Sequence, residues 1–177
     1  MRFLFALIAL SAALVVGAQA APQEAAPSEL QITNLRVGLV CPHSHSERGS
    51  ICFDATQVPI TGQGTCVYAG QEYPCTWYGF EFDYTGARPG DELACVITSS
   101  SPVSYGNPIG PGEQNVARAE YRLPLENSAG HFYNPQYTLS GPHAPNISSV
   151  TNETVCSFGG REMFRFHLEV QYPPPEK

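Results

Sequence analysis

Hydrophobic and polar residues alternate with a period of two in several stretches of the chain. In the run FEFDY at residues 80–84, aromatic side chains alternate with carboxylates, and FRFHLEVQY at 164–172 alternates in the same way. Successive side chains of a strand point to opposite faces, so each run predicts a half-buried strand. No segment after residue 20 has an apolar stripe of helical period.

Turn signals separate these runs from further strand patterns. Pro89-Gly90 fits the centre of a type II turn, and Gly159-Gly160 fits a two-residue hairpin turn. About seven strands with turns between them and no helix predict an all-β fold, an antiparallel β-sandwich. The sandwich is predicted to form one domain over residues 30–172, which is long enough to bury a sizeable core.

The N-terminus reads as a secretory signal peptide over residues 1–20. Arg2 supplies the positive start, residues 3–16 are apolar, and Ala18-Gln19-Ala20 fits a cleavage site after Ala20. Residues 21–29 are predicted to be a disordered leader, and 173–177 a disordered tail. No later segment is long and apolar enough to span a bilayer. The mature protein is therefore expected to be secreted or periplasmic.

All six cysteines lie after this signal. An even number in an exported chain favours three disulfides, although six cysteines allow many connectivities. Nearest neighbours along the sequence suggest Cys41–Cys52 and Cys66–Cys75, which leaves Cys95–Cys156 as a long-range link. A zinc site is the competing interpretation, but the C-x₂-C spacing typical of such sites is absent.

Trp77 is the only tryptophan, and it lies two residues after Cys75. It should therefore share a strand face with Cys75. One interpretation places Trp77 in the core. The other makes Trp77, with Tyr78, an exposed aromatic platform for a ligand.

The sandwich resembles the immunoglobulin-like architecture. Trp77 follows Cys66 at a spacing similar to that of the strand-C tryptophan, and GDELAC, ending at Cys95, resembles the approach to the second cysteine. The tyrosine expected two residues before that cysteine is Leu93 here. The resemblance concerns architecture, and architecture of this kind does not imply an activity.

The chain is acidic, with a formal net charge of -7 and a single lysine, Lys177. An acidic, lysine-poor surface argues against nucleic acid and against anionic membrane surfaces as partners. No catalytic motif such as G-x-S-x-G or H-E-x-x-H is present. Carboxylate pairs such as Glu81 and Asp83 are interpreted as a solvated face.

CPHSHSE is the most suggestive short motif. In an extended segment Cys41, His43, His45 and Glu47 point the same way, and the two imidazoles lie about 6.5 Å apart. Imidazole suits copper or zinc, so His43, His45 and Glu47 are candidate metal ligands, although the segment also fits a polar loop.

Two function classes follow. The first is an exported, non-catalytic binding domain, adhesin-like, inhibitor-like or carbohydrate-binding, with a protein or carbohydrate partner outside the cytoplasm. The alternative is a small secreted enzyme or metal-handling protein that uses His43 and His45. Two N-x-S/T triplets, at Asn146 and Asn152, are glycosylation acceptors only in a eukaryotic secretory pathway.

Overall fold

The computed structural model describes residues 29–41, 51–68, 70–105, 115–140 and 147–173. The predicted signal peptide, nearly all of the leader and tail, and the CPHSHSE motif beyond its cysteine lie outside these residues. The strands of the described residues are β1 (Gln31–Val40), β2 (Ile51–Asp54), β3 (Gln57–Pro59), β4 (Gly64–Tyr68), β5 (Gln71–Thr85), β6 (Glu92–Val103), β7 (Val116–Pro124), β8 (Ala129–Leu139), β9 (Ser149–Phe158) and β10 (Arg161–Gln171).

These strands form two five-stranded sheets. Sheet 1 has the order β2-β1-β5-β4, with β8 also paired to β5, and sheet 2 has the order β3-β10-β9-β6-β7. The all-β sandwich is thus confirmed, although it has more strands than the sequence predicts. One reason is that residues 51–60 contribute to both sheets: β2 pairs with β1, and β3 pairs in parallel with β10.

The core lies between the inner faces of the two sheets. Phe80 and Phe82 of β5 are fully buried, and their rings lie 5.9 Å and 5.2 Å from the ring of Phe164 on β10. The predicted alternation of β5 is confirmed at these positions. Burying one such side chain contributes about 1.5–3 kcal/mol, so this aromatic contact is a main attachment between the sheets.

A second buried cluster continues the core beyond the aromatic contact. It joins Val58 of β3, Ile60, Tyr78 of β5, and Leu168 and Val170 of β10. The short parallel strand β3 therefore contributes to the core as well as to the edge of sheet 2.

Three disulfides join the pairs expected from nearest neighbours, and no cysteine is free. Each lies within one sheet. Cys95 of β6 and Cys156 of β9 are directly opposite in the ladder, with Cα atoms 4.1 Å apart and both residues almost fully buried. Cys66 and Cys95, the two cysteines that the resemblance picks out, therefore have separate partners. The likeness to immunoglobulin-like proteins does not extend to a bridge between the sheets.

β8 pairs only with β5 among the described strands, so it is an edge of sheet 1. The N–H of Ser140 donates to the carbonyl of Pro74 at 2.9 Å and hence faces β5. The β5–β8 register is unbroken, so Pro135, an odd number of residues earlier, turns its backbone to the free edge. A proline is tolerated at this position, because its missing N–H costs no ladder bond at a free edge.

Candidate functional site

Trp77 lies on the outer face of sheet 1. Its neighbours Thr76 and Tyr78 are buried, whereas Trp77 is half-buried and belongs to neither core cluster. This corrects the interpretation of Trp77 as a core residue. The reason is the pleat of β5: its even-numbered residues face sheet 2, and its odd-numbered residues face outward.

Two neighbours fix the Trp77 ring. The ring of Tyr137, directly opposite on β8, lies 5.1 Å from it at an angle of 54°. On the other side, a Cβ added to Gly64 of β4 would lie 2.7 Å from Cδ1 of Trp77. The ring thus occupies the space that a side chain at residue 64 would need, so this site requires glycine.

Tyr78 is not part of the same platform. It is 8 % exposed and packs with Val58 and Leu168 in the inner cluster. Burial raises the pKa of its phenol well above the ordinary value, and the nearby Tyr172 adds to the effect. Of the two residues proposed as an aromatic platform, only Trp77 is on the outer face.

Further along the same face, Glu81 is buried, contrary to its interpretation as part of a solvated pair. Its side chain is only 6 % exposed. Arg36, directly opposite on β1, donates to Oε1 at 3.0 Å, and the backbone N–H of Ile51 donates to Oε2 at 3.0 Å. A buried carboxylate is stable only with such partners, and these two supply an ion pair and a hydrogen bond.

Asp83, the second carboxylate of that pair, is exposed. The Asn34 amide donates to Oδ2 at 2.7 Å, and Nδ1 of His131 lies 2.9 Å from Oδ1. These two hydrogen bonds, the Asn34 bond first, hold the pKa of Asp83 below its ordinary value. Asn34 reaches this position because β1 has a bulge after Thr33, where Asn34 adopts a φ of 51°.

Arg36 connects the buried and exposed parts of this cluster. Its Nε donates to Asp54 of β2 at 3.0 Å, while its Nη1 holds Glu81. The side chains of Arg36, His131 and Asp83 are 39 %, 42 % and 44 % exposed, so each is both fixed and accessible to a ligand. We call the outer face formed by these residues the aromatic–polar strip; it comprises Trp77, Tyr137, Tyr133, Arg36, Asp83 and His131.

His131 is flanked by carboxylates at both ring nitrogens. Nδ1 lies beside Asp83, and Nε2 lies 3.6 Å from Oε2 of Glu81. An imidazole poised to activate a nucleophile needs one nitrogen directed at a hydroxyl or thiol. Within the described residues, the ring nitrogens of His131 lie beside these two carboxylates. This geometry is suited to holding the imidazole ring in position rather than to activating a nucleophile.

The candidate metal ligands His43, His45 and Glu47 lie outside the described residues. Within the described ranges, no group of three or more His, Cys, Asp or Glu side chains is placed to hold a metal ion. The metal interpretation of CPHSHSE therefore stays a prediction.

Asn152 lies in β9 rather than in the loop that the sequence suggests. It is 7 % exposed, and its side-chain oxygen accepts a hydrogen bond from Ser99 of β6 at 2.6 Å. Ser99 also bonds to the hydroxyl of Tyr105. The Asn152 side chain thus lies inside the sandwich, where a glycan cannot be accommodated. Asn146 lies outside the described residues.

Sequence reasoning missed Tyr137, Arg36 and His131 as members of this face. Each lies in a strand that local alternation predicts at least in part, but only the pairing of β1, β5 and β8 places them around Trp77 and Asp83. The one available signal was Pro135, which marks β8 as an edge strand.

No family model matches the chain, and the search of curated proteins found no match. Among solved structures, the chain is similar to an immunoglobulin-like protein from Pseudomonas aeruginosa. The TM-score is 0.52 at 17 % identity, and the match covers 82 % of this chain and 99 % of that chain. Identity this low shows the fold alone, and on that level the immunoglobulin-like architecture is confirmed.

The disulfides indicate an oxidising, extracytoplasmic location, because thiols are kept reduced in the cytosol. Within the part of the chain that the structure describes, no helix is long and apolar enough to cross a membrane.

Proposed function

We propose that this protein is an exported, non-catalytic binding domain that recognises a protein or carbohydrate partner through the aromatic–polar strip. The immunoglobulin-like fold, the three disulfides and the predicted signal peptide at residues 1–20 all support a domain that works outside the cytoplasm. Secretion or a periplasmic location after cleavage at Ala20 is part of this proposal.

The single observation that supports this proposal is that the polar side chains of the strip are held by neighbouring residues and are still accessible to solvent. Arg36 and Asp83 are each held by two partners, yet two fifths or so of each side chain is accessible. Groups fixed before binding lose little conformational entropy when they contact a ligand. Such an arrangement is typical of recognition surfaces.

Labelled mature protein, residues 21–177, offers a direct test. Binding to the envelope or the culture-fluid material of the source organism should be saturable and should be competed by unlabelled protein. A Trp77→Ala, Tyr137→Ala double variant should compete at least ten times more weakly. A Phe53→Ala variant, which removes a 65 % exposed ring on β2, is the matched control and should compete like the wild type.

Two results would contradict the proposal. One is the absence of saturable binding. The other is equal competition by the strip variant and the wild type, provided that both unfold at the same urea concentration, because it would place recognition elsewhere on the domain.

A further inference from the structure

The two ends of the aromatic–polar strip differ in chemistry. At one end Trp77 and Tyr137 present half-buried rings whose positions are fixed by contact with each other and with Gly64. Rigid aromatic rings offer a large contact area at low entropic cost. At the other end Asp83, His131 and Arg36 present hydrogen-bonding groups held by their neighbours.

Between the ends, one position of the ladder has no side chain on either β1 or β5. Gly38 and Gly79 are directly opposite in the ladder there. Neither tolerates a Cβ, because it would lie 2.0 Å from the Phe53 carbonyl oxygen at Gly38 and 2.2 Å from the Asn134 carbonyl oxygen at Gly79. From Trp77 to Asp83 the strand rises about 20 Å, which suits an extended ligand lying along β5.

The composition of the strip favours a sugar over a protein surface. The cores of protein–protein interfaces are depleted of charged residues, whereas half of the strip residues carry a guanidinium, carboxylate or imidazole group. The large hydrophobic side chains that stand out from the molecule lie elsewhere, at Phe53 on β2 and at Val67 and Tyr68 on β4. A pyranose has apolar C–H faces and a rim of hydroxyls, and so complements aromatic rings next to fixed carboxylate, imidazole and guanidinium groups.

Charge complementarity then selects among sugars. The carboxylates of Asp54, Glu81 and Asp83 outnumber the one guanidinium of Arg36 in the cluster, and the whole chain has a net charge of -7. Like charges across an interface are unfavourable, which disfavours sulfated and uronate glycans.

We propose that the aromatic–polar strip binds an extended, uncharged oligosaccharide, with one sugar ring stacked against Trp77 and Tyr137 and hydroxyls bonded to Asp83 and His131. This inference rests on the proposed function and specifies its ligand class. Trp77 reports directly on the contact, because it is the only tryptophan of the chain.

The test uses mature protein on an array of neutral, sulfated and uronate-containing oligosaccharides, followed by titration of the neutral binders with Trp77 fluorescence. The neutral probes include the linear tetrasaccharides cellotetraose, maltotetraose and N-acetylchitotetraose. We expect saturable binding to at least one neutral glycan, with a change in Trp77 emission. Tyr137→Ala and Asp83→Asn should each weaken it about ten-fold, equivalent to about 1.4 kcal/mol.

Phe53→Ala is the matched control and should bind like the wild type. Tyr137→Phe retains the ring and should retain most of the affinity, which separates a lost stacking contact from a lost fold. Binding to anionic glycans alone, to none of the array, or equally by Tyr137→Ala and wild type would overturn the inference.

Treatment of the envelope or culture-fluid material with periodate, which cleaves vicinal diols of sugars, separates this inference from the proposed function. Loss of strip-dependent binding after periodate supports an oligosaccharide ligand. Strip-dependent binding that survives both periodate and a chitinase, which cleaves the 1,4-linked N-acetylhexosamines that lack a vicinal diol, would overturn the sugar and leave the binding domain in place. Absence of any strip-dependent binding would remove both.

Discussion

The carboxylate of Glu81 accepts a hydrogen bond from the backbone N–H of Ile51 at 3.0 Å, although the two residues are 30 positions apart. Ile51 is fully buried and begins β2, directly before Cys52. Glu81 thus attaches the edge of sheet 1 to the central strand β5, while Arg36 neutralises its charge.

Replacing Glu81 with Ala should destabilise the protein. The change leaves the Ile51 N–H and one side of Arg36 without their acceptor, which costs about 1–3 kcal/mol. Glu81→Gln can keep one hydrogen bond and should cost less. Urea unfolding measures both. Glu120→Ala is the control, because that carboxylate is 64 % exposed and should change stability by less than about 0.5 kcal/mol. Equal effects of Glu81→Ala and Glu120→Ala would mean that the Glu81 contacts are dispensable.

The Cys95–Cys156 disulfide should contribute most to stability. It closes a separation of 61 residues, against 11 and 9 for the other two. The chain-entropy model gives about 4 kcal/mol for the long loop and about 3 kcal/mol for the short ones. Replacing both cysteines of a pair with Ala should therefore lower the melting temperature most for this pair. A larger loss for Cys66–Cys75 would contradict the ranking.

The disulfides should also differ in the order of reduction. Cys52 is exposed and Cys41 is partly exposed, whereas Cys95 and Cys156 are 1 % exposed or less. Thiolate attack requires access to a sulfur, so limiting reductant should open Cys41–Cys52 first. Mass spectrometry of alkylated peptides gives the order. Reduction of Cys95–Cys156 before Cys41–Cys52 under native conditions would show that the core opens more readily than this packing implies.

Stability should fall between about pH 10 and pH 12, in part because of Tyr121. Burial raises the pKa of its phenol to about 12, against about 10 for an unfolded tyrosine. Between these values the unfolded chain loses the proton and the folded one keeps it. The contribution of the protonated Tyr121 phenol to the free energy of unfolding is therefore complete below a pH of about 10. It is lost as the pH rises toward 12, at about 1 kcal/mol per pH unit.

Urea midpoints measured across this pH range test the effect. Tyr121→Phe should reduce the slope of this dependence, because phenylalanine has no proton to lose, while Tyr78, whose pKa burial also raises, keeps its own contribution. Phe53→Ala, at a 65 % exposed position without an ionisable group, is the control and should leave the slope unchanged. An unaltered slope in Tyr121→Phe would assign the alkaline loss to other groups.

Asn152 should carry no glycan in folded protein, even when the chain is made in a eukaryotic secretory pathway. Its amide is buried and bonded to Ser99. Peptide mapping of secreted protein would detect any glycan at this position. Asn152→Ala should also cost about 1–2 kcal/mol, because it leaves a buried hydroxyl with one partner fewer. Asn127→Ala, at an exposed position, is the control. A fully folded, glycosylated Asn152 would contradict the buried position.

Metal binding by His43 and His45 stays a prediction from the sequence. Two imidazoles alone would form a weak site for copper or zinc, since stable centres have three or four ligands, and Glu47 is the nearest candidate for the third. Affinity should fall as the pH drops through about 6.5, where a protonated imidazole no longer binds metal. Calorimetry with Cu²⁺ and Zn²⁺ tests this against a His43→Ala, His45→Ala double variant. Equal affinities at neutral pH would leave CPHSHSE as an ordinary loop.

Local patterns predicted the strands and their faces where one side is strongly aromatic. Phe80 and Phe82 face inward as their alternation predicts, and nearest-neighbour pairing gave all three disulfides. The strand boundaries could not be predicted where the local composition is typical of a loop. The Ser- and Pro-rich run from Ser99 suggests a loop, yet β6 continues to Val103 because Ser99 pairs with Asn152 of β9.

The aromatic–polar strip could not be predicted, because it depends on strand pairing. Arg36, Glu81 and His131 are 45 and 50 residues apart in succession, and nothing local shows that their strands are neighbours. The burial of Glu81 was hidden for the same reason: the residues that cover its charge come from β1 and from the start of β2. Alternation assigns each side chain to one face of its strand, but it does not show which strands are neighbours in the sheet.

Because every disulfide joins strands of the same sheet, no sulfur bridge opposes separation of the two sheets. A pulling force that separates the sheets is opposed by the packing of Phe80 and Phe82 against Phe164. The segments of chain that connect the sheets oppose it as well. The two sheets should then separate while the disulfides within each sheet stay intact. The oxidised protein therefore combines two internally reinforced layers with a mechanically weaker plane between them, and that plane is where rupture under load should begin.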